Sequence, residues 1–196
     1  MGKSTDGFSY GLKEILATIL GVAAFVFAEW VELYYIRIGA FPAQTYEWVQ
    51  FRVLVVAVVA VFFGPFCGLL CGLGGDILIN SMFEPVISYP EVIVLGLYGF
   101  FMGYYHHRTH RSIKQFTTRE FIDFNALQVV TGIFCAMFVV PFVKFLLSNA
   151  NINDSVTVGA KSVAGNSILV GAVCSITMAV ISAVYQVKAE RAEVGK

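Results

Sequence analysis

The chain has 196 residues, of which 58% are hydrophobic and only 13% are charged, and its mean hydropathy is +0.76. A soluble domain carries about 25% charged residues and could not bury this much apolar surface, so the composition excludes a soluble fold. The 13 basic and 13 acidic side chains cancel. The net charge alone therefore says little, and no nucleic acid is expected as a partner.

Six apolar runs predict one integral membrane domain over residues 1–196. Stretches of about 20 apolar residues are long enough to cross a bilayer as helices. The predicted fold class is therefore an all-α membrane protein, with six transmembrane helices in a compact bundle. The runs are Leu12–Ile36, Val49–Phe63, Pro65–Ile79, Val92–Tyr105, Ile122–Leu147 and Val163–Val187.

Most basic residues lie before the first run, between the fourth and fifth runs, and after the sixth, as Lys3, Arg108 and Lys188 illustrate. Because basic residues concentrate in cytoplasmic loops, both termini are predicted to be cytoplasmic. The first run is too long for a cleavable signal peptide and lacks a small-residue cleavage site. We expect it to remain as a signal anchor.

The first run carries small residues on one helical face, at Ala17, Gly21, Ala24 and Ala28. Small residues about four positions apart allow helix backbones to approach closely in lipid. Other runs carry similar stripes, so packing within the chain is the favoured interpretation for any single one. For the first helix a second interpretation stays open, namely that this face docks another membrane protein.

Ionisable residues within membrane spans are functional candidates by default. Glu29 and Glu32 lie on the first run, Arg52 near the start of the second, and Asp76 on the third. Arg52 either pairs with one of the two glutamates or binds an anionic or carbonyl-bearing ligand, and the sequence favours neither. Asp76 is predicted to cap the chain near the outer end of the third helix.

The three predicted outer loops, Arg37–Trp48, Asn80–Glu91 and Ser148–Ser162, are long enough to be functional. In the first loop and the helix after it, Tyr46, Trp48, Gln50 and Arg52 alternate along "FPAQTYEWVQFR". An aromatic belt at the membrane interface accounts for the rings alone. The added polar groups favour a site for a small, flat, heteroaromatic ligand.

The stretch "GPFCGLLCGLGGD", Gly64–Asp76, predicts a tight inner turn at Gly64-Pro65 followed by a closely packed helix. Cys67 and Cys71 have helical metal-pair spacing, but no further ligand accompanies them, so packing is favoured. His106 and His110 share that spacing, and a solvated basic loop is favoured there. No metal site, cofactor or enzymatic activity is expected.

Two polar groups fall on the last two runs. Asn125, Gln128 and Thr131 form a stripe on the fifth, which interhelical hydrogen bonds explain. Asn166-Ser167 lie near the start of the sixth run, at its predicted outer mouth. Ligand contact is plausible at that position.

This combination of chain length, six apolar runs, the Gly64–Asp76 segment and the last run, "AGNSILVGAVCSITMAVISAVY", resembles the S components of energy-coupling factor (ECF) vitamin transporters. The likeness is strongest to the riboflavin-type subfamily and covers nearly the whole chain. It implies a multi-pass protein of the bacterial plasma membrane. Such a subunit binds a vitamin or precursor, riboflavin-like or nucleoside-like, and delivers it to a transmembrane coupling subunit powered by two ATPase subunits.

The resemblance also implies residue roles. The first helix of such a subunit docks the coupling subunit through an Ala-x-x-x-Ala face, which Ala24 and Ala28 match. The ligand pocket lies near the outer face, between the first loop and helices four to six. The residues carried over to it are Tyr46, Trp48, Gln50, Arg52, Asn80, Glu84, Tyr98, Lys144 and Asn166.

Two other functions remain open from the sequence. One is a membrane scaffold or regulatory subunit that binds no small molecule. The other is a carrier that moves its substrate without ATPase partners, although the chain lacks the inverted repeats typical of secondary transporters.

Overall fold

The computed structural model describes residues 11–42, 48–83, 89–112, 116–148 and 151–194, with side chains up to residue 104 in the fourth helix and up to residue 187 in the last. Within these residues the chain is helical and contains no strand. The helices are α1 (Leu12–Arg37), α2 (Phe51–Phe63), α3 (Pro65–Phe83), α4 (Tyr89–Ser112), α5 (residues 118–148) and α6 (Ile152–Val194).

The prediction of an all-helical membrane protein is confirmed at this level. Among the described residues, the stretches Leu12–Arg37, Pro65–Phe83, Thr118–Leu147 and Ile152–Val187 are each long and apolar enough to cross a membrane. Phe51–Phe63 is apolar but shorter. Each of the six predicted runs corresponds to one helix.

The core of the bundle forms around α2, which contacts α1, α3, α4 and α6. Val56, Ala57 and Ala60 of α2 are fully buried there, together with Cys67 of α3 and Met102 of α4. A short helix that is apolar on all sides apart from Arg52, and is surrounded by longer helices, is buried on most of its surface. The burial of Cys67 and Cys71 in this core agrees with the packing role predicted for them.

The predicted tight turn is confirmed at Gly64. Its φ of 101° and ψ of 175° lie in a region that is essentially restricted to glycine. Pro65 is the first residue of α3, a position where its missing N–H costs no hydrogen bond. The turn therefore places α2 and α3 side by side as an antiparallel hairpin.

The small-residue stripe of α1 divides between two environments. Ala17 and Gly21 are buried, and a Cβ on Gly21 would lie 2.7 Å from a Val59 methyl group and 3.1 Å from the Cys71 sulfur. These two residues thus pack inside the bundle, as the first interpretation of the stripe predicts. Ala24 is exposed and Ala28 is partly exposed.

Two predicted loops are shorter in the structure. Helix α3 continues to Phe83, so Asp76 lies inside the helix, and its predicted role as a cap at the helix end is wrong. Helix α6 begins at Ile152, where the Asn151 side-chain oxygen accepts a hydrogen bond from the Asn153 N–H at 3.0 Å. This N-cap starts a helix through a polar segment that the sequence predicts to be a loop.

Helix α5 has a change of winding in its second half. It runs as an α-helix over Thr118–Ile133, as a π-helix over Phe134–Val139, and as an α-helix again over Val140–Ser148. Its start is fixed by a capping box, in which Thr117 N–H donates to Glu120 at 2.7 Å and Glu120 N–H donates to Thr117. Single π-helical segments inside α-helices are frequent at functional sites.

Candidate functional site

A cavity of about 270 Å³ lies between α2, α4, α5 and α6. It is toward the end of the bundle at which α2, α4 and α6 begin and α5 ends. Its wall combines apolar side chains with a set of polar ones, which is the composition of a small-molecule site. The polar and charged wall residues are Gln50, Arg52, Glu91, Tyr98, Gln128, Lys144, Asp154, Ser155, Ser162, Asn166 and Ser167.

Arg52 is the centre of a buried ionic cluster beside the cavity. Its Nη1 lies 2.8 Å from Asp76 Oδ1, its Nε 3.6 Å from Glu29 Oε2, and its Nη2 3.5 Å from Glu91 Oε2. Arg52, Glu29 and Asp76 are almost completely buried, so these charges compensate one another in place of water. The ion pairs of this cluster connect α2 with α1, α3 and α4.

The sequence allowed two roles for Arg52, which were pairing with Glu29 or Glu32 and binding a ligand. The structure gives it structural partners, and one of them, Glu29, was among the predicted candidates. Glu32 instead accepts a hydrogen bond from the Phe51 N–H at 3.0 Å, at the N-terminus of α2. A carboxylate in that position stabilises the positive end of the helix dipole.

The pairing of Arg52 with Asp76 follows from the turn between α2 and α3. Arg52 precedes Gly64 by 12 residues and Asp76 follows Gly64 by 12 residues, consistent with the 24-residue separation of the pair. Residues equidistant from a tight helical turn lie at the same level of the hairpin. This symmetry is the sequence signal that would have identified Asp76 as the partner.

Glu91 and Lys144 connect the cluster to the more open part of the cavity. Lys144 Nζ lies 3.5 Å from Glu91 Oε1, and both side chains remain about one third exposed. Glu91 therefore bridges the two cations of the wall. The sequence placed it in a loop, whereas it lies in the first turn of α4.

Asn166 fixes the junction between α2 and α6. Its Oδ1 accepts from the Gln50 N–H at 2.9 Å, and its Nδ2 donates to Ser162 Oγ at 3.0 Å. Close by, a Cβ on Gly165 would collide with the Trp48 carbonyl oxygen. The start of α2 is thus held against α6 by a hydrogen bond and by backbone contact.

Gln128 lies on the α5 side of the cavity and is 2% exposed. Its Nε2 donates to the Ser167 carbonyl at 2.8 Å and to Asn125 Oδ1 at 3.2 Å, while Asn125 donates to Ser175. The interhelical hydrogen bonds predicted for this stripe are therefore present. The Oε1 of Gln128 is buried and accepts no hydrogen bond within the described part of the chain.

The structure brings together five of the nine residues carried over as ligand contacts, namely Gln50, Arg52, Tyr98, Lys144 and Asn166. Two others are in different positions. Asn80 is buried and donates to the Asp76 carbonyl oxygen at 2.7 Å, away from the cavity wall. Trp48 is 46% exposed and is not a wall residue.

Tyr46 and Glu84 lie outside the described residues, as do the side chains of His106 and His110. Conversely, the cavity includes Glu91, Gln128, Asp154 and Ser162, which were not predicted as ligand contacts. Asp154 and Ser162 were missed because they belong to the polar first turns of α6, which were predicted to be a loop. A polar segment with an Asn cap at its start was the available signal.

Comparison with known proteins gives one family and a group of relatives. The profile of the family described as ECF-type riboflavin transporter, S component, matches residues 10–186. UPF0397 proteins of Staphylococcus aureus strains bovine RF122 / ET3-1 and MSSA476 are each 26% identical over 167 residues, covering 85% of this chain and 88% of theirs. The UPF0397 protein of strain Newman is 25% identical over the same length. No solved structure matches the chain.

Proposed function

The chain belongs to the ECF-type riboflavin transporter S component family, a family of substrate-binding transport subunits, and we propose that it captures a flat heteroaromatic vitamin or precursor in the cavity beside Arg52. The observation that carries this proposal is the cavity itself, of about 270 Å³ and lined by both apolar and polar side chains. A membrane scaffold needs no such space.

We propose that all six helices cross the membrane and that both termini are cytoplasmic. At the end of the bundle opposite Arg52, α1 and α5 begin and α4 and α6 end. The sequence at and beyond these helix ends holds most of the basic residues. By the positive-inside rule that end faces the cytoplasm. The cavity then lies toward the outer face, where a substrate-capturing subunit of a bacterial plasma membrane needs it.

The proposed ligand contacts are the wall residues Gln50, Arg52, Tyr98, Lys144 and Asn166. Tyr98 is a buried aromatic residue of α4 and supplies a ring next to which a flat ligand can pack. Asn166 and Gln50 keep the α2–α6 junction in place. For the remaining four carried-over residues, the role of ligand contact is proposed from the family resemblance alone, since none of them is a described residue of the cavity wall. They are Tyr46, Trp48, Asn80 and Glu84.

The proposed partners are a transmembrane coupling subunit and two ATPase subunits, since S components do not themselves catalyse ATP hydrolysis. The proposed docking face on α1 is Ala24 and Ala28, because both retain exposure and lie one helical turn apart. Ala17 and Gly21 support this face from inside the bundle. A carrier that works without ATPases is the alternative, and uptake measurements separate the two.

Ligand capture is testable on the purified chain. In a thermal-unfolding screen of vitamins, nucleosides and their precursors, one chemical class is expected to raise the unfolding temperature at low micromolar concentration. Binding at 100 times the dissociation constant stabilises the folded state by about 2.7 kcal/mol. Absence of any stabilising compound, combined with the absence of co-purifying ATPases, would contradict the proposal.

The docking face is testable by a double substitution, Ala24→Leu with Ala28→Leu. Leucine side chains would separate the helix backbones that small residues bring together, so uptake should be lost while ligand binding by the isolated subunit is unchanged. Ala179→Leu with Ala183→Leu is the matched control, because these residues are also exposed and four positions apart, on α6. Loss of ligand binding in the α1 variant would show that this face is internal.

A further inference from the structure

Among the described residues, the charged side chains of the cavity wall all lie at one end of the cavity. They are Arg52, Glu91, Lys144 and Asp154. The first turns of α2, α4 and α6 contain Arg52, Glu91 and Asp154, and Lys144 lies near the end of α5. Because these helix ends meet at the same end of the bundle, they form what we call the charged end of the cavity.

The other end of the cavity has a different chemistry. Tyr98 lies seven residues beyond Glu91, about 10 Å along α4, and Ser167 lies 13 residues beyond Asp154, about 20 Å along α6. The wall residues described at this level carry no charge, so we call it the uncharged end. Besides Tyr98 and Ser167 they include Val94, Leu95, Gln128, Gly132 and Cys135.

Tyr98 carries a hydroxyl without a partner at the uncharged end. The residue is only 6% exposed, and it lines the cavity. Its hydroxyl makes no hydrogen bond to any residue that the structure describes, and it is not one of the polar atoms that are enclosed without accessible surface. The hydroxyl is therefore accessible from the cavity. Because nearly all buried polar groups in folded proteins have a partner, this one indicates a partner on the ligand.

Ser167 adds a second hydroxyl of the same kind. It is partly exposed and lines the cavity from α6. Its backbone carbonyl accepts a hydrogen bond from Gln128, whereas its hydroxyl makes none within the described part of the chain. By contrast, the hydroxyl of Thr177 on the same helix donates to the carbonyl oxygen four residues earlier, at 2.8 Å. Without such a local bond, the Ser167 hydroxyl is free to contact a ligand.

The two hydroxyls suit an uncharged part of a ligand. A tyrosine or serine hydroxyl can both donate and accept, so it pairs with a carbonyl oxygen, a ring nitrogen or an N–H group. A full charge on the ligand would be costly at this end, because none of the described wall residues there carries the opposite charge. Ionised or strongly hydrated groups are better placed at the charged end.

From these observations we propose that Tyr98 and Ser167 determine specificity, with both hydroxyls hydrogen-bonded to an uncharged polar edge of a heterocyclic ring. The ligand lies along the cavity with that edge at the uncharged end. Its ionised or more hydrophilic part lies toward Lys144 and Asp154. This inference rests on the proposed function, and it adds the orientation of the ligand and the groups that recognise its ring.

The test uses the full chain in detergent and three probes, which are riboflavin, uridine and nicotinamide. Each is uncharged at neutral pH and carries carbonyl oxygen on or beside a heterocyclic ring. Dissociation constants are measured by ligand-observed NMR titration. At least one probe is expected to bind the unaltered chain. Tyr98→Phe and Ser167→Ala are each expected to weaken its binding roughly three- to tenfold, which corresponds to the loss of one neutral hydrogen bond.

Thermal unfolding without ligand separates ligand contact from a structural role. Tyr98→Phe keeps the ring and removes a hydroxyl that has no partner in the described chain, so the unfolding temperature should stay within about 2 °C. Tyr104→Phe is the matched control, because Tyr104 is an exposed tyrosine of the same helix and is not a wall residue. Neither its unfolding temperature nor its affinity for the probe should change.

Ser175→Ala is the control for the serine. The Ser175 hydroxyl accepts a hydrogen bond from Asn125 at 3.2 Å, and Ser175 is not a wall residue. We therefore expect the opposite pattern to that of Ser167→Ala, namely a lowered unfolding temperature with unchanged affinity for the probe.

Unchanged affinity in Tyr98→Phe or Ser167→Ala would overturn the inference. Misfolding of Tyr98→Phe, or a clear fall in its unfolding temperature without ligand, would overturn it too, because the hydroxyl would then have a structural role. If a compound from the vitamin screen binds equally to the unaltered chain and to Tyr98→Phe, the inference fails and the proposed function stands. If none of the three probes binds, the inference fails, and the vitamin screen decides separately whether the proposed function fails with it.

Discussion

Arg52→Met is expected to remove most of the stability of the folded chain, with an unfolding temperature lowered by more than about 10 °C. The substitution takes away the cation that lies 2.8 Å from Asp76 and within 3.6 Å of both Glu29 and Glu91. Removing one partner of a buried ion pair costs about 3–5 kcal/mol, because the other charge is left uncompensated. Here three carboxylates lose the same partner.

A double-mutant cycle separates charge from packing. Asp76→Asn keeps the shape and the contact with Asn80 but removes one of the stranded charges. In the Arg52→Met background it should therefore restore part of the lost stability, although alone it should destabilise the chain. Purely additive effects of the two substitutions would show that the ionic interaction is not what Arg52 supplies.

Lys144→Met is the control for the loss of a positive charge. Lys144 is 32% exposed and pairs with one carboxylate, Glu91, which is also partly exposed. Partly solvated pairs contribute roughly 0–1 kcal/mol. Its unfolding temperature should stay within about 3 °C of that of the unaltered chain.

Gly72→Ala is expected to be almost as damaging, although it adds a single methyl group. A Cβ at this position would lie 2.6 Å from the Leu95 carbonyl carbon and 2.8 Å from the Gly96 nitrogen. These are backbone atoms of α4 and cannot rotate away, so α3 and α4 would have to separate. Overpacking of this kind costs about 1–3 kcal/mol, and we expect the upper end of that range.

Gly74→Ala, two residues further along the same helix, is the matched control. A Cβ there would meet a Val22 methyl group at 3.4 Å. Since alanine favours helices over glycine by about 1 kcal/mol, this variant should be neutral or slightly stabilising in thermal unfolding. Equal loss in both variants would show that helix propensity, and not the approach of α3 to α4, determines the result.

The sequence predicted those parts of the fold that depend on local signals. Six apolar runs gave six helices, and Gly64-Pro65 gave the turn, because hydropathy and backbone freedom are properties of short segments. The polar start of α6 was misjudged for the same reason. Its polar side chains, such as Asp154 and Ser162, lie along a cavity, and a cavity is created only when other helices surround it.

The candidate site was predictable only in part. Gln50, Arg52 and Asn166 stand out in the sequence because polar groups in apolar surroundings are few. Glu91 and Gln128 did not, since a loop position and an interhelical hydrogen bond were adequate explanations for them. The side-chain N–H groups of Gln128 donate to the Ser167 carbonyl of α6 and to Asn125 Oδ1 of α5, which became evident only in the folded structure.

The π-helical segment of α5 explains how one helix lines the cavity from Gln128 to Lys144. Residues 128, 132, 136, 140 and 144 of this helix all line the cavity, at regular intervals of four. In an α-helix of 3.6 residues per turn, positions at that interval would drift around the axis by about 160° over the four steps. The extra residue that a π-helical segment accommodates reduces the drift to about 60°. Gln128 and Lys144 thus lie on similar faces of α5 because of this register shift.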